Sequence, residues 1–355
     1  MRVPNIMVVA TDAGGGAVTA PVAALAREQG WQVTVFSGRY TADFFHDYNL
    51  NSLCAVDDLS TQMRCISPDV ILLGTTRYPS PERSITKLAR PMRIPSVAIL
   101  DDWSNYLERF SDGPSKYVLP DLICCPDKLA KQEMLDEGIS EDRLMITGHP
   151  ALAIVAEKIK KRSASPPQRP NFFPTDGTPV MVFLSETHSL DFGVCEGQSG
   201  PLGPYLGYTE FSVRQELANL TSSFFIVEKL HPSDTRTFSL PTDCVPGRWI
   251  NSPKYPLWEL LWHADIVVGM KSVALLESAL LGRPTVSYQP NLIGPDPCSA
   301  SRTKVVTRME DLGMLTAWAH EALNTEKSSL VEPEFSNLSA SEQVLKALIR
   351  VTGRG

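Results

Sequence analysis

The sequence predicts an α/β protein built from two domains, each with a parallel β-sheet. Short apolar runs alternate with segments of helical period in both halves of the chain, which is typical of β-α-β units. A proline-rich segment at residues 162–178 separates the halves and predicts a linker, because proline at this density interrupts helices and central strands. We therefore expect an N-terminal domain over residues 1–165, a C-terminal domain over 175–330, and a terminal helix over 331–355 that packs back on the N-terminal domain.

Composition and charge restrict the classes of partner. The 355 residues are 43% hydrophobic and 21% charged, with a net charge of −7, as in a globular protein with an ample core. An acidic chain argues against nucleic acid or an anionic membrane as the main partner, since both favour a basic surface. No apolar run reaches the length of a transmembrane helix. The seven cysteines form no C-x-x-C pair, so we expect reduced thiols in a cytoplasmic protein.

The first predicted strand of the N-terminal domain leads into a glycine run. The strands predicted in this domain are Ile6–Ala10, Val33–Phe36, Val70–Gly74, Val97–Leu100, Leu122–Cys125 and Leu144–Thr147. Gly14, Gly15 and Gly16 follow the first of them and precede a helix at Val18–Gln29, which makes the unit Rossmann-like and allows a ligand to approach the backbone closely. A tight turn without ligand contact is the alternative. The pattern G-x-G-x-x-G is missing, and no acidic residue closes the second strand, which disfavours a dehydrogenase.

Two adjacent carboxylates follow the strand at Val97–Leu100. A buried acidic residue beside a like charge has a raised pKa, so either Asp101 or Asp102 is a candidate general base. The alternative is that one of them only caps a helix. Arg109 lies in the same loop and is a further candidate for contact with a substrate.

Polar residues also follow the strands of the C-terminal domain. The strands predicted there are Val180–Leu184, Phe224–Val227, Ile266–Val268, Thr285–Ser287 and Val305–Thr307. The polar residues that follow the first three of them are Ser185, Glu186, Lys229, His231, Ser233, Lys271 and Ser272. In open parallel sheets, ligands bind outside the carboxyl ends of the strands. Ser272 is placed to cap a helix at Val273–Leu281, and a helix start with cations beside it predicts a phosphate-binding site.

Three sequence elements resemble one superfamily. They are K-L-H-P at residues 229–232, the run H-A-D-I-V-V-G-M-K-S-V-A-L-L-E-S-A-L-L-G-R-P-T-V at 263–286, and I-T-G-H-P at 146–150. They resemble the donor domain and the domain crossover of GT-B enzymes, which include nucleotide-sugar glycosyltransferases and UDP-N-acetylglucosamine 2-epimerases. The resemblance implies two Rossmann-like domains that face one another across a cleft.

The resemblance also implies roles for individual residues. Ser272 and the neighbouring N–H groups would bind the donor diphosphate, and Glu277 would accept hydrogen bonds from the ribose hydroxyls. His231 of the His-Pro element would contact a phosphate. His149 is a weaker candidate, because the crossover turn alone explains the Gly-His-Pro sequence.

Glycosyl transfer from a nucleotide-sugar to an acceptor is the leading hypothesis, with the nucleotide-sugar as substrate and with neither metal nor other cofactor. Asp101 or Asp102 would act as the base, and His231 and Lys271 would stabilise the departing diphosphate. The alternative is a 2-epimerase or nucleotide-sugar hydrolase, for which Glu186 would supply a third carboxylate, although the paired glycines and glutamates of epimerases are missing from the donor helix. A non-catalytic binder is the third reading. The nucleotide base, the sugar, the acceptor, the stereochemistry and the oligomeric state stay open.

Overall fold

The computed structural model describes residues 3–38, 41–54, 59–76, 80–162, 166–231, 234–252, 255–324, 334–337 and 339–353. The chain divides into two compact units. Unit 1 comprises Met1–Lys158 and Glu332–Gly355, and unit 2 comprises Ile159–Val331. Each unit contains a parallel sheet flanked by helices, so the predicted α/β class with two Rossmann-like domains is confirmed.

Unit 1 is organised around a parallel sheet. Its strands are β1 (Asn5–Ala10), β2 (Gln32–Ser37), β3 (Ser52–Cys54), β4 (Val70–Leu73), β5 (Ser96–Ile99), β6 (Leu122–Cys125) and β7 (Leu144–Ile146). They pair in the order β3-β2-β1-β4-β5-β6-β7. Residues 6–10 of β1 are fully buried, because a parallel sheet is covered by helices on both faces. The helices along this part of the chain are α1 (Ala13–Glu28), α2 (Ala42–His46), α3 (Leu59–Ile66), α4 (Pro81–Ala89), α5 (Lys128–Asp136) and α6 (Pro150–Arg162).

Unit 2 repeats this architecture. Its strands are β8 (Val180–Leu184), β9 (Ser199–Gly200), β10 (Gly203–Pro204), β11 (Phe225–Lys229), β12 (Trp249–Asn251), β13 (Ile266–Gly269), β14 (Thr285–Tyr288) and β15 (Thr307–Met309). The main sheet has the order β12-β11-β8-β13-β14-β15, and β9 and β10 form a separate antiparallel hairpin. The helices are α7 (His188–Asp191), α8 (Glu210–Ala218), α9 (Leu257–His263), α10 (Ala274–Leu280), α11 (Ser299–Arg302) and α12 (Leu312–Asn324).

The terminal helix α13 (Ala340–Val351) belongs to the core of unit 1. Val344 and Leu348 lie one helical turn apart and are buried in the same cluster as Val8 and Val97. A segment that follows unit 2 in the sequence therefore covers the sheet of unit 1. Within the described ranges, no helix combines the length and the apolarity that a membrane span requires.

Both sheets reverse their strand order beside the first strand of the unit. In unit 1, β1 lies between β2 and β4, and in unit 2, β8 lies between β11 and β13. Such a switch point opens a crevice outside the carboxyl ends of the strands, where ligands of α/β proteins bind. The residues that follow β1, β4, β8, β11 and β13 therefore form the two edges of interest.

The structure differs from the sequence prediction at several boundaries. α1 begins at Ala13 and not at Val18, so the glycine run lies inside the helix. β15 lies at Thr307–Met309, two residues beyond the predicted strand. Strands β3 and β12 are not predicted, because Ser-Leu-Cys and Trp-Ile-Asn are too short to stand out as apolar runs. Both lie at a sheet edge, where a strand pairs on one side.

Candidate functional site

Polar side chains gather around Glu186 at the carboxyl edge of the unit 2 sheet. Glu186 follows β8 and is only 7% exposed. Burial raises the pKa of its carboxyl group, and Lys271, His231 and the Ser272 hydroxyl act in the opposite direction. These residues follow β13 and β11, the two neighbours of β8 in the sheet. The switch point thus brings together four residues that the sequence predicts for the site.

Ser185 and Lys229 tie the ends of β8 and β11 together. The Ser185 N–H donates a hydrogen bond to the Lys229 carbonyl at 3.0 Å. The Lys229 ammonium group donates to the Tyr255 carbonyl at 2.7 Å, and burial lowers its pKa. Lys229 therefore holds the segment that leads to α9 against the strand end.

Ser272 does not occupy the N-cap position of the helix that follows it, which corrects the sequence prediction. α10 begins at Ala274, and Val273 occupies the N-cap position. The Ser272 hydroxyl lies 3.4 Å from the Ala274 nitrogen and accepts a long hydrogen bond from it. Glu277 lies in the first turn of α10 and is half-buried.

The His-Pro element is described only at its histidine. Pro232 and the candidate Ser233 lie outside the described residues. His231 acts electrostatically on both Glu186 and Asp234, and it lowers the pKa of Asp234 together with the stronger hydrogen bonds from Arg236. His231 is therefore near enough to interact electrostatically with two acidic groups at this edge.

His188 is a polar residue at this edge that sequence reasoning missed. It is 0% exposed, and neither ring nitrogen has a hydrogen-bond partner among the described residues. Its ring lies 5.4 Å from that of Phe192 and 5.0 Å from that of Tyr208, centroid to centroid. The Lys271 ammonium group lies over the Phe192 ring at 4.9 Å. Burial, and then Lys271, lower the pKa of His188 well below its ordinary value, so it is neutral at pH 7.

In unit 1, an ion pair fixes Asp101. Arg109 is 7% exposed, and its Nη1 atom lies 2.5 Å from Asp101 Oδ1 and 3.0 Å from Thr75 Oγ1. The Thr75 hydroxyl also donates to Asp101 at 3.0 Å. The Asp102 carboxylate accepts a hydrogen bond from the Ser104 hydroxyl at 2.6 Å. Asp101 and Arg109 therefore form a largely buried ion pair. Asp102 is hydrogen-bonded within its own loop.

The glycine run packs against groups of this chain. A β-carbon on Gly14 would lie 1.9 Å from Asp101 Oδ2, and one on Gly15 would lie 3.1 Å from the α-carbon of Gly74. A β-carbon on Gly16 would lie 3.1 Å from the side chain of Thr41. Since a real β-carbon cannot approach an oxygen at 1.9 Å, Gly14 is needed for Asp101 to reach its position. The three glycines thus have a packing reason that does not depend on a ligand.

Asp12 is a second residue that sequence reasoning missed. It follows β1 at the switch point, is half-buried, and caps α1 by accepting the Gly14 N–H at 3.1 Å. Its other oxygen lies 3.5 Å from the Thr76 hydroxyl. Burial raises the pKa of Asp12, and the neighbouring Asp101 raises it further, against the effects of the Gly14 bond, Arg109 and Thr76. The visible signal was an aspartate directly after a strand and before a helix.

His149 holds the backbone of Asp101. Its Nδ1 atom accepts the Leu152 N–H at 3.2 Å, so the proton is on Nε2, which donates to the Asp101 carbonyl at 3.1 Å. The ring stacks on Trp103 at 5.6 Å with planes 5° apart. Burial lowers the pKa of His149. Both ring nitrogens are therefore used within unit 1.

Metal-type clusters of side chains do not occur in the part of the chain that the structure describes: no three or more His, Cys, Asp and Glu residues lie together as metal ligands would. The two edges consist instead of carboxylates with cations or hydroxyls beside them.

No protein-family model and no curated protein sequence matches the chain. Solved structures do match along its whole length. S. aureus MnaA, in a co-structure with UDP, superposes with a TM-score of 0.68 at 12% identity and covers 99% of this chain and 98% of its own. The UDP-GlcNAc 2-epimerase of Methanocaldococcus jannaschii superposes with a TM-score of 0.65 at 12% identity, covering 98% and 99%.

Glycosyltransferases match as well. SnogD from Streptomyces nogalater superposes with a TM-score of 0.53 at 13% identity and covers 99% of this chain and 100% of its own. These superpositions establish the fold. Sequence identities this low leave the activity open. The chain therefore has the fold shared by UDP-GlcNAc 2-epimerases and GT-B glycosyltransferases, with two Rossmann-like units.

Proposed function

We propose that this chain is a glycosyltransferase that moves a sugar from a nucleotide-sugar donor to a hydroxyl group of an acceptor. The observation that carries the proposal is the cluster of Glu186, Lys271, His231 and Ser272 at the switch point of the unit 2 sheet. Such a point is where α/β folds bind nucleotides. The similar structures include enzymes that were solved with UDP or with UDP-GlcNAc.

In the proposed reaction, unit 2 binds the donor. Lys271 and His231 offset the negative charge of the departing diphosphate, and the Ser272 hydroxyl donates a hydrogen bond to it. Glu277 accepts hydrogen bonds from the two ribose hydroxyls, for which a carboxylate has the right pair of acceptors. Unit 1 supplies the acceptor side, with its acids at Asp101 and Asp102 and the start of α1 at Gly14–Gly16.

The proposal requires neither metal nor cofactor, because side-chain cations suffice to offset the leaving-group charge. Turnover should therefore persist in the presence of EDTA. A loss of turnover with EDTA that Mg²⁺ or Mn²⁺ restores would contradict this part of the proposal.

Thermal shift with a panel of UDP-, CMP-, GDP- and dTDP-linked sugars tests the donor site. A ligand at about a hundred times its dissociation constant stabilises a fold by roughly 2.7 kcal/mol. We expect at least one donor to raise the melting temperature of the wild type, and His231→Ala and Glu277→Ala to lose this response. Glu321→Ala, on the exposed side of α12, serves as the matched control and should keep it. If no nucleotide-sugar raises the melting temperature, the proposal is wrong.

The second candidate function is a nucleotide-sugar 2-epimerase or hydrolase. Its support is that several of the similar structures are UDP-GlcNAc 2-epimerases, one of which superposes with a TM-score of 0.69. Epimerisation beside the anomeric carbon removes a C–H proton and returns one from solvent. Incubation of the protein with UDP-GlcNAc alone in D₂O separates the candidates by ¹H NMR. Loss of the C2 proton signal indicates epimerisation, release of free sugar indicates hydrolysis, and an unchanged donor that is consumed only with an acceptor indicates transfer.

A further inference from the structure

Three carboxylates lie at the carboxyl edge of the unit 1 sheet, and their surroundings differ. Asp101 is ion-paired with Arg109 and accepts a hydrogen bond from Thr75, so its negative charge is compensated. Both donors, Thr75 Oγ1 and Arg109 Nη1, bond to Asp101 Oδ1, and the α1 backbone at Gly14 lies against Oδ2. The Asp101 carboxylate is therefore engaged by groups of this chain.

Unlike Asp101, Asp12 has a backbone N–H group and a hydroxyl group as its neighbours. Within the described residues, its carboxylate accepts the Gly14 N–H at 3.1 Å and has a 3.5 Å contact with the Thr76 hydroxyl, and it forms no ion pair within 4.0 Å. The charged groups that act on it are Asp101 and Arg109. Burial and the like charge of Asp101 raise the pKa of Asp12, whereas Arg109, which lowers it, is paired with Asp101 and not with Asp12.

The turn that carries Asp12 is held firmly. The Thr11 N–H donates to Glu82 Oε1 at 2.7 Å, and the Thr11 hydroxyl donates to the same oxygen at 2.8 Å. Glu82 is buried at the start of α4. The residue before Asp12 is thus fixed by one helix, and the residues after it begin another. A proton acceptor needs such positioning, because proton transfer requires heavy atoms within hydrogen-bond distance.

We infer that Asp12, rather than Asp101, is the residue that takes the proton from the acceptor, with the Asp101–Arg109 ion pair beside it. This inference rests on the proposed function. In the step it describes, the acceptor O–H bond breaks and its proton moves to the Asp12 carboxylate. The acceptor oxygen forms a bond to the anomeric carbon as the bond from that carbon to the phosphate oxygen breaks, and the electron pair leaves with the nucleoside diphosphate.

The raised pKa of Asp12 supports this role, because a base is most effective when its pKa lies nearer the working pH than that of an ordinary carboxylate. Activity should fall as the pH drops through the pKa of Asp12. Removal of the Asp101 charge should lower that pKa, both because the like charge is gone and because Arg109 then acts on Asp12 uncompensated. The acidic limb of the pH–rate profile should therefore move to lower pH in Asp101→Asn.

The test compares the wild type, Asp12→Asn, Asp12→Glu, Asp101→Asn and Asp43→Asn, with the donor that the thermal-shift panel identifies. Asparagine caps helices about as well as aspartate, so Asp12→Asn removes the proton acceptor and keeps the cap of α1. Asp43 is exposed on α2 and serves as the matched control for the loss of one carboxylate. The readouts are kcat, its pH dependence, and the thermal shift by the donor.

We expect Asp12→Asn to lose roughly 10²–10⁴-fold in kcat while it keeps the donor-induced thermal shift, since Asp12 lies in unit 1 and the proposed donor residues lie in unit 2. Asp12→Glu should retain part of the activity, and Asp43→Asn should match the wild type. If Asp12→Asn keeps kcat within about tenfold, or if Asp101→Asn leaves the acidic limb in place, the role of Asp12 is wrong and the proposed function stands. If the wild type neither binds nor consumes any nucleotide-sugar, the proposed function fails and the role of Asp12 fails with it.

Discussion

Gly14→Ala tests whether the glycine run exists to admit Asp101. In an unobstructed helix, this change would stabilise unit 1 by about 0.5–1 kcal/mol, because alanine loses less backbone entropy than glycine. The structure predicts the opposite result. The new β-carbon would lie 1.9 Å from Asp101 Oδ2, 2.8 Å from Asp101 Cγ and 3.1 Å from Asp101 Cβ, so the carboxylate has to leave its position.

The magnitude follows from what Asp101 leaves behind. Its departure breaks the 2.5 Å ion pair with Arg109, and removal of one partner from a buried pair costs about 3–5 kcal/mol. With the gain in helix propensity subtracted, Gly14→Ala should destabilise unit 1 by about 2–4 kcal/mol. In an Asp101→Ala background the ion pair is already lost. The β-carbon of residue 101 remains 3.1 Å away, so Gly14→Ala should then be neutral or stabilise by up to about 1 kcal/mol.

Hydrogen exchange measured by mass spectrometry on the peptide that contains β1 is the appropriate assay. Amides in this buried strand exchange only when unit 1 opens, so their protection reports the stability of that unit separately from unit 2. The wild type, the two single variants and the double variant complete a double-mutant cycle. An equal cost of Gly14→Ala in both backgrounds would show that Asp101 is not the reason for the glycine. A cost below about 0.5 kcal/mol in the wild type would refute the steric argument itself.

Three further outcomes are expected. In the wild type, the free energy of unfolding should fall as the pH drops from about 6.5 to 5, because only the unfolded chain protonates His188 in that range. His188→Phe should make this fall shallower in urea unfolding. An unchanged dependence on pH would contradict the burial of a neutral ring. Glu228 is 0% exposed and paired with Arg214, so Glu228→Gln should lower the stability of unit 2 by about 3–5 kcal/mol in calorimetry. Glu228→Gln combined with Arg214→Met should recover much of this loss. If it does not, the unpaired charge of Arg214 is not the reason for the loss. His149→Phe keeps the stacking on Trp103 but loses two hydrogen bonds. Hydrogen exchange should therefore show that the free energy of opening unit 1 falls by about 1–3 kcal/mol. An unchanged free energy would contradict the bonds to Asp101 and Leu152.

Most strands of both sheets, but not the edge strands β3 and β12, could be predicted from local sequence. Val180–Leu184 and Leu122–Cys125 are found with the predicted bounds, since a short buried parallel strand is a continuous apolar run between polar residues. The same pattern placed Glu186, His231 and Lys271 at strand ends. Their proximity depends on the strand order β11-β8-β13, which the tertiary structure decides.

The glycine run shows where local reasoning failed. Glycine is a poor helix former, so Gly14–Gly16 read as a turn before the helix. In the structure, these glycines lie inside α1, where their neighbours leave no room for a side chain. Gly15 packs against the backbone of Gly74, and Asp101 occupies the space beside Gly14. The helix therefore forms in spite of a propensity cost of about 1 kcal/mol per glycine.

Periodicity and the chemistry of strand ends therefore predict two parallel α/β units and several of the polar residues at the edge of each sheet. The pairing among those residues depends on the tertiary structure. Asp12 lies far from Asp101 and Arg109 in the sequence and comes near them only because β1, β4 and β5 are adjacent in the sheet. Whether a carboxylate is compensated or keeps a raised pKa depends on the distance to a cation and on exclusion of water, and both are properties of the folded chain.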